Sequence, residues 1–139
     1  MSSPRNLFLA AAVAVIAVSV PSRAQAQTVV KCTIPFAFHV GAEEMPSGTY
    51  QLTTNAASGL LTVQNWAGKV GRYVFVQRED EPLGPETLVK FNRYGNTYFL
   101  SSVDIGDDGI SLNLPRSMTE RETAANNPKP QVTVVAANR

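Results

Sequence analysis

The stretch from Val30 to Val40 constrains this chain more than any other. Val30, Cys32, Ile34, Phe36, Phe38 and Val40 are all apolar, while Lys31, Thr33, Pro35, Ala37 and His39 fill the odd positions. Side chains of an extended strand alternate between its two faces, so this spacing predicts a strand with one face buried and one face wet. Pro35 has no amide hydrogen for a ladder bond, which places the strand at a sheet edge or marks a bulge in it.

Period two continues along the chain. Residues 49–54 alternate with Tyr50 and Leu52 on one side, after a Met45-Pro46-Ser47-Gly48 turn. Residues 60–64 and 72–77 form a second pair of strands, joined by a connection in which Gly68 and Gly71 supply positive backbone angles. Residues 78–86 hold four acids, two prolines and Gly84, a composition that predicts a solvated loop. Residues 87–93 and 97–103 flank Tyr94-Gly95-Asn96, whose glycine suits the left-handed position of a tight hairpin. Ile110, Leu112 and Leu114 lie in phase on a short strand, and the β-branched run at 131–136 argues for a last one. Between them Ser117-Met118-Thr119-Glu120 fits a capping box, predicting a short helix over about 118–125 with Glu120 reaching back to the first backbone amides.

The expected fold class is therefore all-β: a small antiparallel barrel or sandwich of seven to eight strands with one short C-terminal helix. Crossover helices for a parallel sheet are lacking. Pairing the first strand with the last would close a barrel and remove exposed edges, which makes the barrel the preferred form.

Residues 1–26 read as a secretory signal peptide. Arg5 gives a positive n-region, residues 7–18 are an unbroken apolar run, Pro21 and Ser22 break it, and Ala24-Gln25-Ala26 offers a small-x-small cleavage pattern. Even counting Ser19, the run from 7 to 20 falls short of the roughly 20 apolar residues that a membrane span needs. Val30-Lys31 precedes Cys32 where lipid attachment would need a small residue. The expected product is a single domain over 27–139, exported to the periplasm or the extracellular space. Without Arg5 and Arg23 the 12 basic residues fall to 10 against 11 acids, a net charge of −1 with His39 neutral. These charges are interleaved, so nothing draws nucleic acid or an anionic membrane. With Cys32 as the sole cysteine the domain has no internal disulfide and must hold together by burial.

Ile34-Pro35-Phe36-Ala37-Phe38 with Pro46-Ser47-Gly48-Thr49-Tyr50, the run from Phe91 through Tyr94-Gly95-Asn96 to Leu100, and Leu114-Pro115-Arg116-Ser117 with Glu120-Arg121-Glu122 together resemble a group of small exported bacterial proteins without an assigned function. The resemblance spans nearly all of residues 27–139. It implies a shared β fold and export, and it brings no catalytic or binding residues.

The chemical candidates are few. His39 is the single histidine, on the polar face of the first strand, and reads as a solvated strand residue. One histidine and one cysteine fall short of the four ligands of a structural zinc site. Asp104-Ile105-Gly106-Asp107-Asp108-Gly109 lacks the spacing of a calcium loop and reads as a turn. Glu43-Glu44 and Glu79-Asp80-Glu81 read as solvated charge rather than the facing carboxylates of a glycoside hydrolase. Arg93, Tyr94 and Tyr98 are candidate binding residues, since guanidinium and rings stack on sugar or peptide, although alternate aromatics of a hairpin also feed the core. Trp66 lies in a turn, where it either plugs the end of the barrel or anchors an interface, the plug being preferred. No catalytic, cofactor-binding or metal-ligating residue is assigned. The leading expectation is a non-catalytic exported module that binds or supports another envelope or extracellular component. Behind it stand a small-ligand carrier with an apolar barrel interior and, remotely, a carboxylate-dependent hydrolase.

Overall fold

A computed structural model describes residues 27–55, 58–68, 70–127 and 129–139. The expected signal peptide lies outside the described residues. The alternating stretch divides at Pro35: β1 (Gln27–Ile34) stops immediately before it, and β2 (Phe38–Val40) resumes three residues beyond. The phase survives the break, since Val30, Cys32, Ile34, Phe38 and Val40 are all buried. The two pieces nevertheless belong to different sheets. A proline that cannot donate to the ladder ends the first pairing, and the chain crosses over before starting the second.

β1 pairs antiparallel with β4 (Gly48–Asn55), which continues through β5 (Leu60–Asn65) to β6 (Gly71–Phe75), giving a four-stranded sheet in the order β1-β4-β5-β6. The second sheet runs β11 (Gln131–Ala137), β8 (Thr87–Tyr94), β9 (Thr97–Ile105), β10 (Ile110–Asn113) and β7 (Gln77–Asp80). β2 joins it through a parallel bridge between His39 and Phe99 and carries β3 (Glu43–Met45) on its other side. One helix, α1 (Met118–Asn126), lies near the C-terminus. The fold is all-β, a curled half-barrel with a second sheet.

Eleven strands among the described residues exceed the expected seven to eight. Of the extra strands, β2 follows from the break at Pro35, and β3 pairs back on it across the Gly41-Ala42 turn. The third, β7, takes Gln77 from the end of the expected 72–77 strand and its other three residues from the stretch expected to be loop. All four of its residues are exposed, and it pairs with β10 through its main chain, Gln77 opposite Asn113 and Asp80 opposite Ile110. Such an edge strand needs no apolar side chain, so composition did not mark it. The expected hairpins form, with Val63 opposite Arg72 and Tyr94 opposite Thr97; Gly95 (φ 62°) and Gly68 (φ 73°) take left-handed angles, whereas Gly71 does not and Tyr94 belongs to β8 rather than to the link.

Side chains from both sheets fill the space between them. Ile34, Met45, Leu52, Leu61, Val63 and Phe91 are fully buried. Phe38 sits edge-to-face against Tyr50 of the first sheet (5.0 Å, 81°) and Phe91 of the second (5.5 Å, 73°), the arrangement that ring quadrupoles favour. The Tyr50 hydroxyl donates to the Pro46 carbonyl, so the ring is buried with its polar end satisfied. Across the gap between β6 and β3 an exposed ion pair joins Arg72 to Glu43 at 3.3 Å.

Candidate functional site

The outer face of the second sheet lies under α1. Ser117 caps the helix, its hydroxyl accepting from the Glu120 N–H at 3.1 Å and donating to the Gly41 carbonyl at 3.2 Å. Only this half of the expected capping box forms. The Glu120 carboxylate turns to the sheet instead, where Oε1 accepts from Asn92 Nδ2 at 2.9 Å and from the Tyr94 hydroxyl at 3.1 Å. Glu120 and Tyr94 are buried and Asn92 is half-buried, and donors withdrawn from water gain more from a carboxylate acceptor than exposed backbone amides do. Burial first, then the charge and hydrogen bond of Glu120, push the Tyr94 phenol above its ordinary range, with Arg116 opposing them. Tyr94 is thus 1% exposed, with its hydroxyl engaged by Glu120.

A second polar cluster surrounds Asp104. The expected turn residue is a strand residue of β9, 3% exposed, with Oδ2 2.6 Å from Lys90 Nζ and Oδ1 accepting from the buried Ser111 hydroxyl at 2.7 Å. A carboxylate out of water needs such compensation. Asp107 and Asp108 do form the turn, a single 3₁₀ turn closed by Gly109 at φ 62°, and Asp108 pairs with Arg139 at 2.9 Å. Among the described residues no group of three or more His, Cys, Asp or Glu side chains is placed to hold a metal ion.

His39 departs from the expected solvated position. Its ring is half-buried and stacks on Phe99 at 4.7 Å, and its Nδ1 has no hydrogen-bond partner. Trp66 does not plug the half-barrel either. It is 59% exposed at the β5–β6 turn, with Lys31 Nζ 3.8 Å from the ring centroid. Arg93 and Tyr98 do come together as a cross-strand pair, the guanidinium 5.5 Å over the ring. Tyr98 stacks on Phe36 at 3.8 Å, and Phe36 meets Phe91 edge-on at 5.0 Å, so this column runs from solvent into the core. Tyr94 lies on the opposite face of the same hairpin, and Trp66 belongs to the other sheet. The four sequence-chosen residues therefore do not build one site.

The surface that the sequence reading missed is the outward face of the first sheet. Tyr73 and Phe75 of β6 are 74% and 75% exposed. Leu61 opposite Val74 fixes which side of β6 turns inward, and that register sends both rings to solvent. Residues directly opposite one another share a face, so Val29, Thr53, Thr62 and Tyr73 form one row across the four strands, with Lys31, Gln51, Gln64 and Gly71 in the next. None of these residues is buried. The signal was present as Tyr73-Val74-Phe75, but with apolar residues in both phases the sequence alone does not choose a side.

Comparison with family models, with curated proteins and with solved structures finds no match. No helix among the described residues is long and apolar enough to cross a membrane.

Proposed function

We propose that this chain is an exported, non-catalytic binding module of the bacterial envelope or extracellular space, and that it engages its partner through the outward face of β1-β4-β5-β6. The observation that carries the reading is the exposure of Tyr73 and Phe75. A ring of this size removes some 150–250 Å² from water when buried, at roughly 25 cal/mol per Å², and the fold leaves both rings uncovered. Residues 1–26 support export by their order of charge, apolar run and cleavage pattern.

The carrier reading needs an interior left unfilled by side chains, whereas Phe38, Met45, Tyr50, Leu52 and Phe91 occupy the space between the sheets. The hydrolase reading needs carboxylates facing across a cleft, whereas Glu43, Glu44, Glu79, Asp80 and Glu81 are all exposed, Glu43 paired with Arg72 and Asp80 with Arg78. The test is photo-crosslinking in the native envelope and extracellular fractions, with the reactive group placed at position 73 or 75 and, as a control on the other sheet, at 132. Adducts from 73 and 75 that are absent from 132 are expected. Adducts from 132 alone, or from none of the three, overturn the reading.

A further inference from the structure

We infer that the outward face of β1-β4-β5-β6 binds an uncharged polysaccharide, an inference that rests on the binding-module reading above. Its first support is the distribution of charge. Across four strands the outward side chains include one ion, Lys31, and its ammonium is already seated over Trp66. The chain as a whole is 17% charged. A face so depleted offers no steering to nucleic acid, to an anionic bilayer or to a strongly acidic or basic peptide. A neutral ligand is the electrostatic match.

The second support is what replaces the charges. Thr49, Gln51, Thr53, Thr62 and Gln64 hold hydroxyl and amide groups in rows whose strands lie about 4.8 Å apart, a lattice of donors and acceptors suited to a hydroxyl-dense chain. Rings stand at the margins. Tyr73 and Phe75 are two residues apart on the edge strand, about 6.7 Å along it. Trp66 follows the far end of β5, its main-chain N–H donating to the Thr49 carbonyl at 2.8 Å. The C–H faces of pyranose rings pack on such exposed aromatic planes while their hydroxyls meet the polar rows. A folded protein partner calls for a contiguous apolar centre, whereas here Tyr73, Phe75 and Leu60 opposite it lie at the β6 edge and the middle of the face is Gln51, Thr53, Thr62 and Gln64.

The experiment uses the protein recovered from its own exported fraction, sedimented with insoluble cellulose, chitin and curdlan as three neutral polysaccharides. Retention on at least one is expected, undiminished in molar sodium chloride, with Tyr73→Ala and Phe75→Ala each weakening it at least tenfold and Val132→Ala leaving it unchanged. Because both rings are exposed, the variants should keep the parent unfolding curve, which is recorded alongside. Retention that ignores both ring variants overturns the inference. No retention on any of the three, while crosslinkers at 73 and 75 still capture a protein, overturns the glycan and leaves the binding module standing. No retention and no adduct overturns both. A concentration-dependent dimer that Tyr73→Ala dissolves assigns the face to a second copy of the chain and likewise overturns the glycan.

Discussion

Lys31 and Asn138 exchange both of their main-chain hydrogen bonds, the Lys31 N–H donating to the Asn138 carbonyl at 2.7 Å and the Asn138 N–H to the Lys31 carbonyl at 2.9 Å. Lys31 also stands opposite Gln51. β1 is thus held on both sides, and the sheet that presents Tyr73 and Phe75 is tied along this line to the sheet that carries α1. The expected meeting of first and last strands takes this limited form.

Asn138→Pro tests that tie. Proline removes the donating N–H, and the loss should be on the order of 1–3 kcal/mol in urea unfolding, since the Lys31 carbonyl is left without its partner. Asn138→Ala keeps the main chain and should stay within about 0.5 kcal/mol. Equal effects of the two changes would place the contribution in the Asn138 side chain instead.

Glu120 and Tyr94 should behave as one unit. Glu120→Ala leaves the Asn92 amide and the Tyr94 hydroxyl without their acceptor and should cost about 2–3 kcal/mol. Tyr94→Phe removes one of those donors, so the double variant should be less destabilised than the sum, with a coupling of about 1 kcal/mol or more. Additive effects measured in the four-variant cycle would show that Glu120 acts through the helix end alone.

Stability should fall at alkaline pH. Burial raises the Cys32 thiol from 9.0 to about 11 and raises Tyr50 and Tyr94 above the usual tyrosine value. Between the ordinary and the raised values the unfolded chain has lost protons that the folded chain keeps. Raising the pH therefore favours unfolding. The Cys32 part is fully present below pH 9 and is lost as pH rises through about 11; the tyrosine part follows at higher pH. Chemical unfolding at stepped pH should show the decline, reduced in its early portion by Cys32→Ala. In the native state Cys32 should react with thiol reagents only as fast as the protein opens. A flat profile above pH 9 would contradict the buried thiol.

Gly106 should not tolerate a side chain. A methyl there would overlap the backbone carbonyls of Gly84 and Glu86, and two main-chain segments have to part to admit it. Gly106→Ala is expected to cost about 3 kcal/mol or more. Gly84→Ala meets open space and should be nearly neutral. Comparable unfolding midpoints for the two variants would mean that the 81–86 segment yields easily.

The hairpins, the inward phase of β1 and β4, and the helix start at Ser117 were legible because each follows from a local rule of alternation, turn chemistry or capping. What escaped is decided by neighbours distant in sequence. Asp104 looks like a turn residue until Lys90 and Ser111 are beside it. Glu120 looks like a cap until Asn92 and Tyr94 offer better donors. His39 occupies the wet phase of its strand, yet the parallel bridge to β9 lays Phe99 over its ring. For Trp66 a large apolar ring in a turn suggested burial, but the ring is 59% exposed and Lys31 is the cover it finds. The candidate site was the least legible part, since Tyr73 and Phe75 become a surface only once Val74 is known to face inward.

The crossing at Pro35 also bears on when this molecule can be completed. Within four residues of Ile34 the chain leaves one sheet and enters the other, so β1 finds a ladder partner in nearby β4 and β2 one in nearby β3, whereas the bridge from His39 to β9 must wait for Phe99. A loop of that length is slow to close and contributes nothing until its far end arrives. In a chain that grows from its N-terminus, β1 can pair with β4 and β2 with β3 early, while the bridge from His39 to β9 stays open until Phe99 is in place. The order of strands thus lets two local pairings form first and leaves the joining of β2 and β3 to the second sheet as a late, long-range step.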